Sequence, residues 1–187
     1  ILEYTRRVIT VRDNWVGYVT PTEIQIEDLV ANTVVEWRKF VRTVEWSLED
    51  AMRGGYPHFM LKEIHEQPRA LQDTVYGIKR DPAVDVAVKM LLDSRRVYVT
   101  GAGTSYHASL YFSLITAMLS GVHVVPFIAS EYRIYSKTAS SGDLLIAVSQ
   151  SGETMDSLKA LRAFRERGAR VIAVSNVVDS AIPRESD

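Results

Sequence analysis

The chain has 187 residues, room for one sizeable domain or for one domain with part of another. Its 22 lysines and arginines nearly balance 23 aspartates and glutamates, and 47% of its residues are hydrophobic, the composition of an ordinary soluble globular protein. A net charge of −1 argues against a polybasic nucleic-acid surface or an acidic tail, and the lack of any cysteine excludes disulfides, thiolate zinc sites and cysteine nucleophiles, so a reducing cytoplasm is expected.

Up to about Ser47 the sequence reads as β. Tyr4 to Val11 is rich in β-branched and aromatic residues, Asp13-Asn14 offers a turn, and Tyr18 to Thr20 resumes before Pro21. Val34 to Leu48 is again strand-like, with Val44, Trp46 and Leu48 alternating with polar neighbours. So few strands close no core in water, and this portion is expected to be the tail of a larger domain. Glu49 to Pro57 ends in Gly54-Gly55-Tyr56-Pro57, a linker or tight turn. Two short helices are predicted next, His58 to Gln67 and Pro68 to Ile78, with Pro68 as the first helical residue of the second. Asp81-Pro82 starts another, running through Val84, Val88, Leu91 and Leu92 to Ser94.

From Arg95 the pattern is regular. Predicted strands at Val97–Val99, Val122–Phe127, Leu144–Val148 and Val171–Val174 alternate with helices after Ser105, near Ser130–Tyr135, and from Thr154 to a stop at Gly168. Strands apolar on both faces, alternating with helices, imply an α/β fold whose parallel sheet carries helices on both faces. The longest apolar run, Ala108 to Leu119, is broken by Ser109, Ser113 and Thr116; it is too short for a membrane span, and nothing from Ile1 onward reads as a signal peptide. The 4 histidines lack ligand-like spacing.

In such sheets ligands sit beyond the carboxyl ends of the strands. Two turns occupy that place, T-G-A-G-T-S (Thr100 to Ser105) and S-Q-S-G-E-T (Ser149 to Thr154). Glycine admits a close approach, the hydroxyls donate hydrogen bonds, and the free N–H groups of a helix start attract an anion. A phosphate monoester can thus be held without a paired cation. Walker A is excluded because neither turn ends in Gly-Lys-Ser/Thr, the dinucleotide fingerprint because Tyr106 stands where the last glycine belongs, and the G-x-S-x-G elbow is absent. Taken singly, each turn is explained as helix caps and turn formers; two at neighbouring strand ends favour a ligand. Glu153 sits awkwardly beside a phosphate, with a capping role or a sugar hydroxyl as its alternatives. Met155, Leu158, Leu161 and Phe164 read as the packing face of the following helix. Tyr106, His107, Tyr111 and His123 read as packing, rim or partnered residues rather than catalysts.

S-Q-S-G-E-T, preceded by the G-x-G-T-S turn, resembles the sugar isomerase (SIS) phosphosugar-binding family. G-G-Y-P-H-F-M-L-K-E-I-H-E-Q-P (Gly54 to Pro68), I-A-S-E-Y-R (Ile128 to Arg133) and R-E-S-D (Arg184 to Asp187) bring the resemblance closer to the glucosamine-6-phosphate synthases, the glutamine:fructose-6-phosphate amidotransferases. The K-E-I-x-E-Q-P run is specific, because ordinary SIS regulators lack it. The resemblance implies a SIS, flavodoxin-like sheet, truncated before an expected fifth strand beyond Asp187. It implies residues 1–50 as the end of a glutaminase-type domain, 51–68 as an interdomain linker and 69–187 as the first, incomplete SIS domain. Thr104, Ser105, Ser149, Gln150, Ser151 and Thr154 match positions that hold the phosphate and neighbouring hydroxyls of fructose 6-phosphate; Ala102 stands where many relatives have cysteine.

The family's glutamine-cleaving cysteine is missing. Its glutamate base, ring-opening histidine and Schiff-base lysine belong to segments beyond this chain, and none of Lys39, Lys62, Lys79, Lys89, Lys137 or Lys159 matches. The resemblance therefore implies a piece with no catalytic residue, cofactor or metal. Its parent forms glucosamine 6-phosphate and glutamate from fructose 6-phosphate and glutamine as a cytoplasmic homodimer, with no nucleic-acid or membrane partner. The alternatives are a non-catalytic SIS module sensing a sugar phosphate and a stand-alone phosphosugar aldose–ketose isomerase.

Overall fold

The computed structural model describes residues 4–43 and 53–187. The chain divides into two compact units, Ile1–Thr74 and Val75–Asp187. In the first, β1 (Arg7–Ile9) pairs antiparallel with β5 (Val41–Thr43), while β2 (Trp15–Val19), β3 (Ile24–Asp28) and β4 (Thr33–Val34) form a separate antiparallel meander. The turn at Asp13-Asn14 is present, with Asn14 at φ 66°. Trp15 packs edge-on against Phe40 with ring centroids 5.1 Å apart, and its indole N–H donates to Asp28 at 3.0 Å.

The strand expected from Val34 to Leu48 is broken. A 3-10 turn, Trp37–Phe40, separates β4 from β5, because the Trp37 N–H folds back to Val35 O and its indole donates to Ile24 O at 2.9 Å. Val44, Trp46 and Leu48 lie outside the described residues.

Gly54 and Gly55, both at positive φ, make the expected turn. Beyond it, the two helices expected to meet at Pro68 are one, α1 (Phe59–Ile78), with Pro68 inside it. A proline there forfeits the hydrogen bond to the Ile64 carbonyl and crowds it. Ile64 and Pro68 are both exposed, so water can serve the freed carbonyl.

The second unit contains α2 (Pro82–Leu92), β6 (Arg96–Gly101), α3 (Thr104–Ser120), β7 (Val124–Ile128), α4 (Tyr132–Tyr135), β8 (Asp143–Ser149), α5 (Met155–Arg165), β9 (Arg170–Ser175) and α6 (Ala181–Arg184). α2 starts where Asp81 accepts the Ala83 N–H at 2.9 Å, with Pro82 in the first turn. The four strands are parallel in the order β7-β6-β8-β9, with Thr100 beside Ala147 and Ser149 beside Ser175. Alternate residues of each strand enter two cores, as the apolar strand runs require. Tyr98, Phe127, Leu145, Ala147 and Val171 pack under Leu158, Leu161 and Phe164 of α5. Val97, Val99, Val124, Leu144 and Ile146 pack with Met90 and Leu91 of α2 on the other face. Met155, expected on the packing face, is 55% exposed because it opens α5 above the end of the sheet.

At the amino ends of the strands, Asp143 is fully buried and takes hydrogen bonds from Arg95, Arg96 and the Ser140 N–H. At the other terminus of the unit, Glu185 pairs with Arg162 through two bonds of 2.7 and 2.8 Å, and Asp187 exchanges two bonds with the backbone of Val171. Among the described residues no helix is long and apolar enough to cross a membrane.

Candidate functional site

The strand order reverses between β6 and β8: β6–α3 returns to β7 on one side, and β8–α5 returns to β9 on the other. With right-handed crossovers, α3 and α5 then cover opposite faces and a crevice opens where they part. Both turns singled out in the sequence border that crevice, one after each of two adjacent strands.

Gly101 ends β6 where a side chain has no room. A Cβ there would lie 2.7 Å from the carbonyl carbon of Ser105, so only glycine lets α3 start this close to the strand. Thr100 does not join the site: its hydroxyl is buried and donates to Phe127 O at 2.9 Å, stitching β6 to β7. Thr104 is exposed and Ser105 half-buried. No side chain caps the start of α3, which follows Gly103.

In the second turn the hydroxyls divide their tasks. Ser149 is 3% exposed; its Oγ accepts the Gly152 N–H at 3.1 Å and shares a hydrogen bond of 3.0 Å with Thr154 Oγ1. Ser151 Oγ accepts the Glu153 N–H at 3.2 Å. These bonds build the turn and occupy two of its amides. Gln150 and Ser151 are exposed, and Thr154, directed to Ser149, leaves α5 without a side-chain cap. At α3 the Ser105 and Tyr106 N–H groups donate to Ala102 O and Gly103 O at 3.2 and 3.1 Å, so the open helix amides belong to the uncapped start of α5. With Thr104, Gln150 and Ser151 exposed, the two turns form a neutral surface whose donors are those amides and side chains. Neither turn contains a lysine or arginine.

Glu153 is resolved as a cap: its Oε1 accepts the Ala181 N–H at the start of α6, 2.8 Å away. The surroundings of this turn are the part that sequence reasoning missed. Ser175 and Ser180 lie against Gly152, whose φ is 67°, and Ile182 N–H donates to Gly152 O at 2.9 Å. Ser157, in the first turn of α5, is fully buried with a hydroxyl that has no partner among the described residues. No local signal distinguished it from a solvent-facing serine.

The charged groups with shifted titration lie elsewhere. Burial works to raise the pKa of Asp143, but hydrogen bonds from Arg96 and the Ser140 N–H, with the charges of Arg96 and Arg95, outweigh it and leave it lowered. The Arg162 bonds likewise lower Glu185. A shallow groove of about 480 Å³ in the first unit, lined by Ile24, Val35, Trp37 and Arg38 among others, includes no residue of either turn.

The sequence profile of the SIS domain matches residues 90–187. The glutamine–fructose-6-phosphate aminotransferase [isomerizing] of Sulfurisphaera tokodaii is 46% identical over 187 residues, covering 100% of this chain and 31% of that protein. The protein of the same name from Pyrobaculum aerophilum is 49% identical over 189 residues, covering 100% of this chain and 30% of its own length. This chain therefore spans somewhat under a third of the curated relatives that it matches. Among solved structures, the C-terminal domain of glucosamine-fructose-6-phosphate aminotransferase from Francisella tularensis superimposes with a TM-score of 0.65 at 32% identity, covering 73% of this chain and 39% of that one. The profile spans the whole four-stranded sheet and both turns at its crevice, and on that ground the chain belongs to the SIS domain family.

Proposed function

We propose that the chain is part of a glutamine–fructose-6-phosphate aminotransferase and carries sugar-phosphate-binding turns of its isomerase half. Residues 1–50 are then the end of the glutaminase-type domain, 51–68 the linker and 69–187 a SIS domain. Thr104, Ser105, Ser149, Gln150, Ser151 and Thr154 form the site for the phosphate of fructose 6-phosphate and of the product, glucosamine 6-phosphate. Ser149 and Thr154 act mainly by shaping the turn, while Thr104, Gln150 and Ser151 offer their side chains. Glutamine cleavage and isomerisation use groups outside these residues; the chain has no cysteine to release ammonia. The parent works as a cytoplasmic homodimer.

One observation carries this reading: α5 begins uncapped at the switch point of the sheet, and the turn after the adjacent strand exposes the Thr104 hydroxyl. The open start of α5 contributes about 0.3–1 kcal/mol toward an anion, and more where water is excluded. Hydrogen bonds from neutral donors to a charged phosphate add about 1.5–3 kcal/mol each. That is enough for a reversible grip on a phosphate monoester, and it gives no reason to hold the unphosphorylated sugar.

Calorimetric titration of fructose 6-phosphate and fructose into the chain tests the site. Binding of the phosphate ester alone, weakened about tenfold in Thr104→Val and Ser151→Ala, is expected. Equal heats for both sugars, or variants that bind like the parent, refute it. The activity is tested by exchanging this chain for the matching third of the Sulfurisphaera tokodaii relative and assaying glucosamine 6-phosphate. A folded chimera that forms none refutes the assignment.

A further inference from the structure

Glu153 is the one charged residue within the second turn, and its carboxylate is bound away from that turn's own donors. Its Oε1 accepts the Ala181 N–H at 2.8 Å across 28 residues of sequence. The same stretch grips the turn twice more. Ile182 N–H donates to Gly152 O at 2.9 Å, and Ser180 stands so close to Gly152 that a Cβ there would lie 1.7 Å from its Oγ. This stretch is itself anchored, since Ile182 is fully buried in the α5 core and Ser180, 4% exposed, donates to Val177 O at 2.7 Å.

We infer that Glu153 is a positioning residue that locks the Ser149–Thr154 turn onto residues 175–182 and keeps its own negative charge away from a bound phosphate. A loose turn would have to be ordered by the ligand, at an entropic cost for every residue fixed, and a free carboxylate beside a phosphate dianion would repel it. The bond to Ala181 removes both penalties. The effect on phosphate rests on the sugar-phosphate reading of the site; the lock itself does not.

The test compares the 187-residue chain with Glu153→Ala, Glu153→Gln, Ala181→Pro and the double variant Ala181→Pro/Glu153→Gln. Amide hydrogen exchange and titration with inorganic phosphate and fructose 6-phosphate are the two readouts. Loss of a charge-assisted bond in Glu153→Ala quickens exchange at Ala181 and Ile182 about tenfold or more, while Leu145 and Val171 keep their protection. Glu153→Gln retains an acceptor and restores most of that protection. Proline is compatible with the first residue of α6 but removes its N–H, so Ala181→Pro frees the carboxylate and weakens phosphate binding more than Glu153→Ala does; the double variant recovers part of the loss. Unchanged exchange at Ile182 in Glu153→Ala overturns the lock, and loss of protection throughout the chain overturns a role confined to the turn. If the unaltered chain binds neither phosphate nor fructose 6-phosphate, the reading of the site falls, while the exchange result still decides the lock.

Discussion

Replacing Gly152 by alanine should damage the second turn by an amount that its geometry sets. The residue has φ 67°, and an added methyl would meet Ser180 Oγ at 1.7 Å, Ser180 Cβ at 2.6 Å and Ser175 Oγ at 2.8 Å. Left-handed backbone costs an alanine about 1–2 kcal/mol. Ser180 is buried and bonded to Val177 O, so it cannot simply retreat, and overpacking at such a contact costs about 1–3 kcal/mol. Gly152→Ala is therefore expected to lose roughly 2–5 kcal/mol in urea unfolding followed by circular dichroism. Gly142→Ala is the reference, because Gly142 has φ 87° with nothing within 4 Å of the added atom; it should lose only the backbone part, about 1–2 kcal/mol. In a double-mutant cycle, Gly152→Ala should cost about 1–3 kcal/mol less in a Ser180→Gly background, which by itself loses the bond to Val177 O. A Gly152→Ala chain as stable as Gly142→Ala, or a cycle with no coupling between Gly152→Ala and Ser180→Gly, would refute the reasoning.

Two further outcomes are expected. Asp143 and Glu185 have lowered pKa values in the folded chain, so the stability they contribute is fully present above their unfolded values, 3.8 and 4.5, and is lost as pH falls through the folded ones. Acid unfolding should therefore flatten in Asp143→Asn below about pH 4, with a loss of about 2 kcal/mol near neutrality; an unchanged acid profile would contradict the pairing with Arg95 and Arg96. Asp81→Ala should cost about 1 kcal/mol in thermal or urea unfolding, since it removes the acceptor of the Ala83 N–H; a neutral result would mean that water replaces the cap.

The alternating unit from Arg95 onward was legible because its signals are local. Apolar runs such as Leu144 to Val148 are buried on both faces, and Gly121 and Gly168 stop helices at positive φ. Both turns could be found from composition, since a glycine, hydroxyls and a following amphipathic run sit within a few residues. The division of labour among those hydroxyls could not, because Ser149 and Ser151 differ only in burial and bonding partners. The partner of Glu153 lies 28 residues away in a helix of 4 residues that itself contains a proline, A-I-P-R, and no periodic pattern fits in so short a piece. Pro68 misled in the opposite sense: a strong local breaker was overruled by a continuous helix on exposed ground. β3 escaped notice although Ile24 and Ile26 alternate with Gln25 and Glu27, a short signal after Pro21.

The join between β6 and β8 has a kinetic consequence. Arg96 and its partner Asp143 are 47 residues apart, so the two helix starts become neighbours only after a long loop has closed and the parallel ladder has formed. The unfolded chain has no pair of turns to offer an anion. A ligand that needs both should thus leave the refolding rate nearly untouched and slow unfolding instead, acting as a brake on escape from the native state.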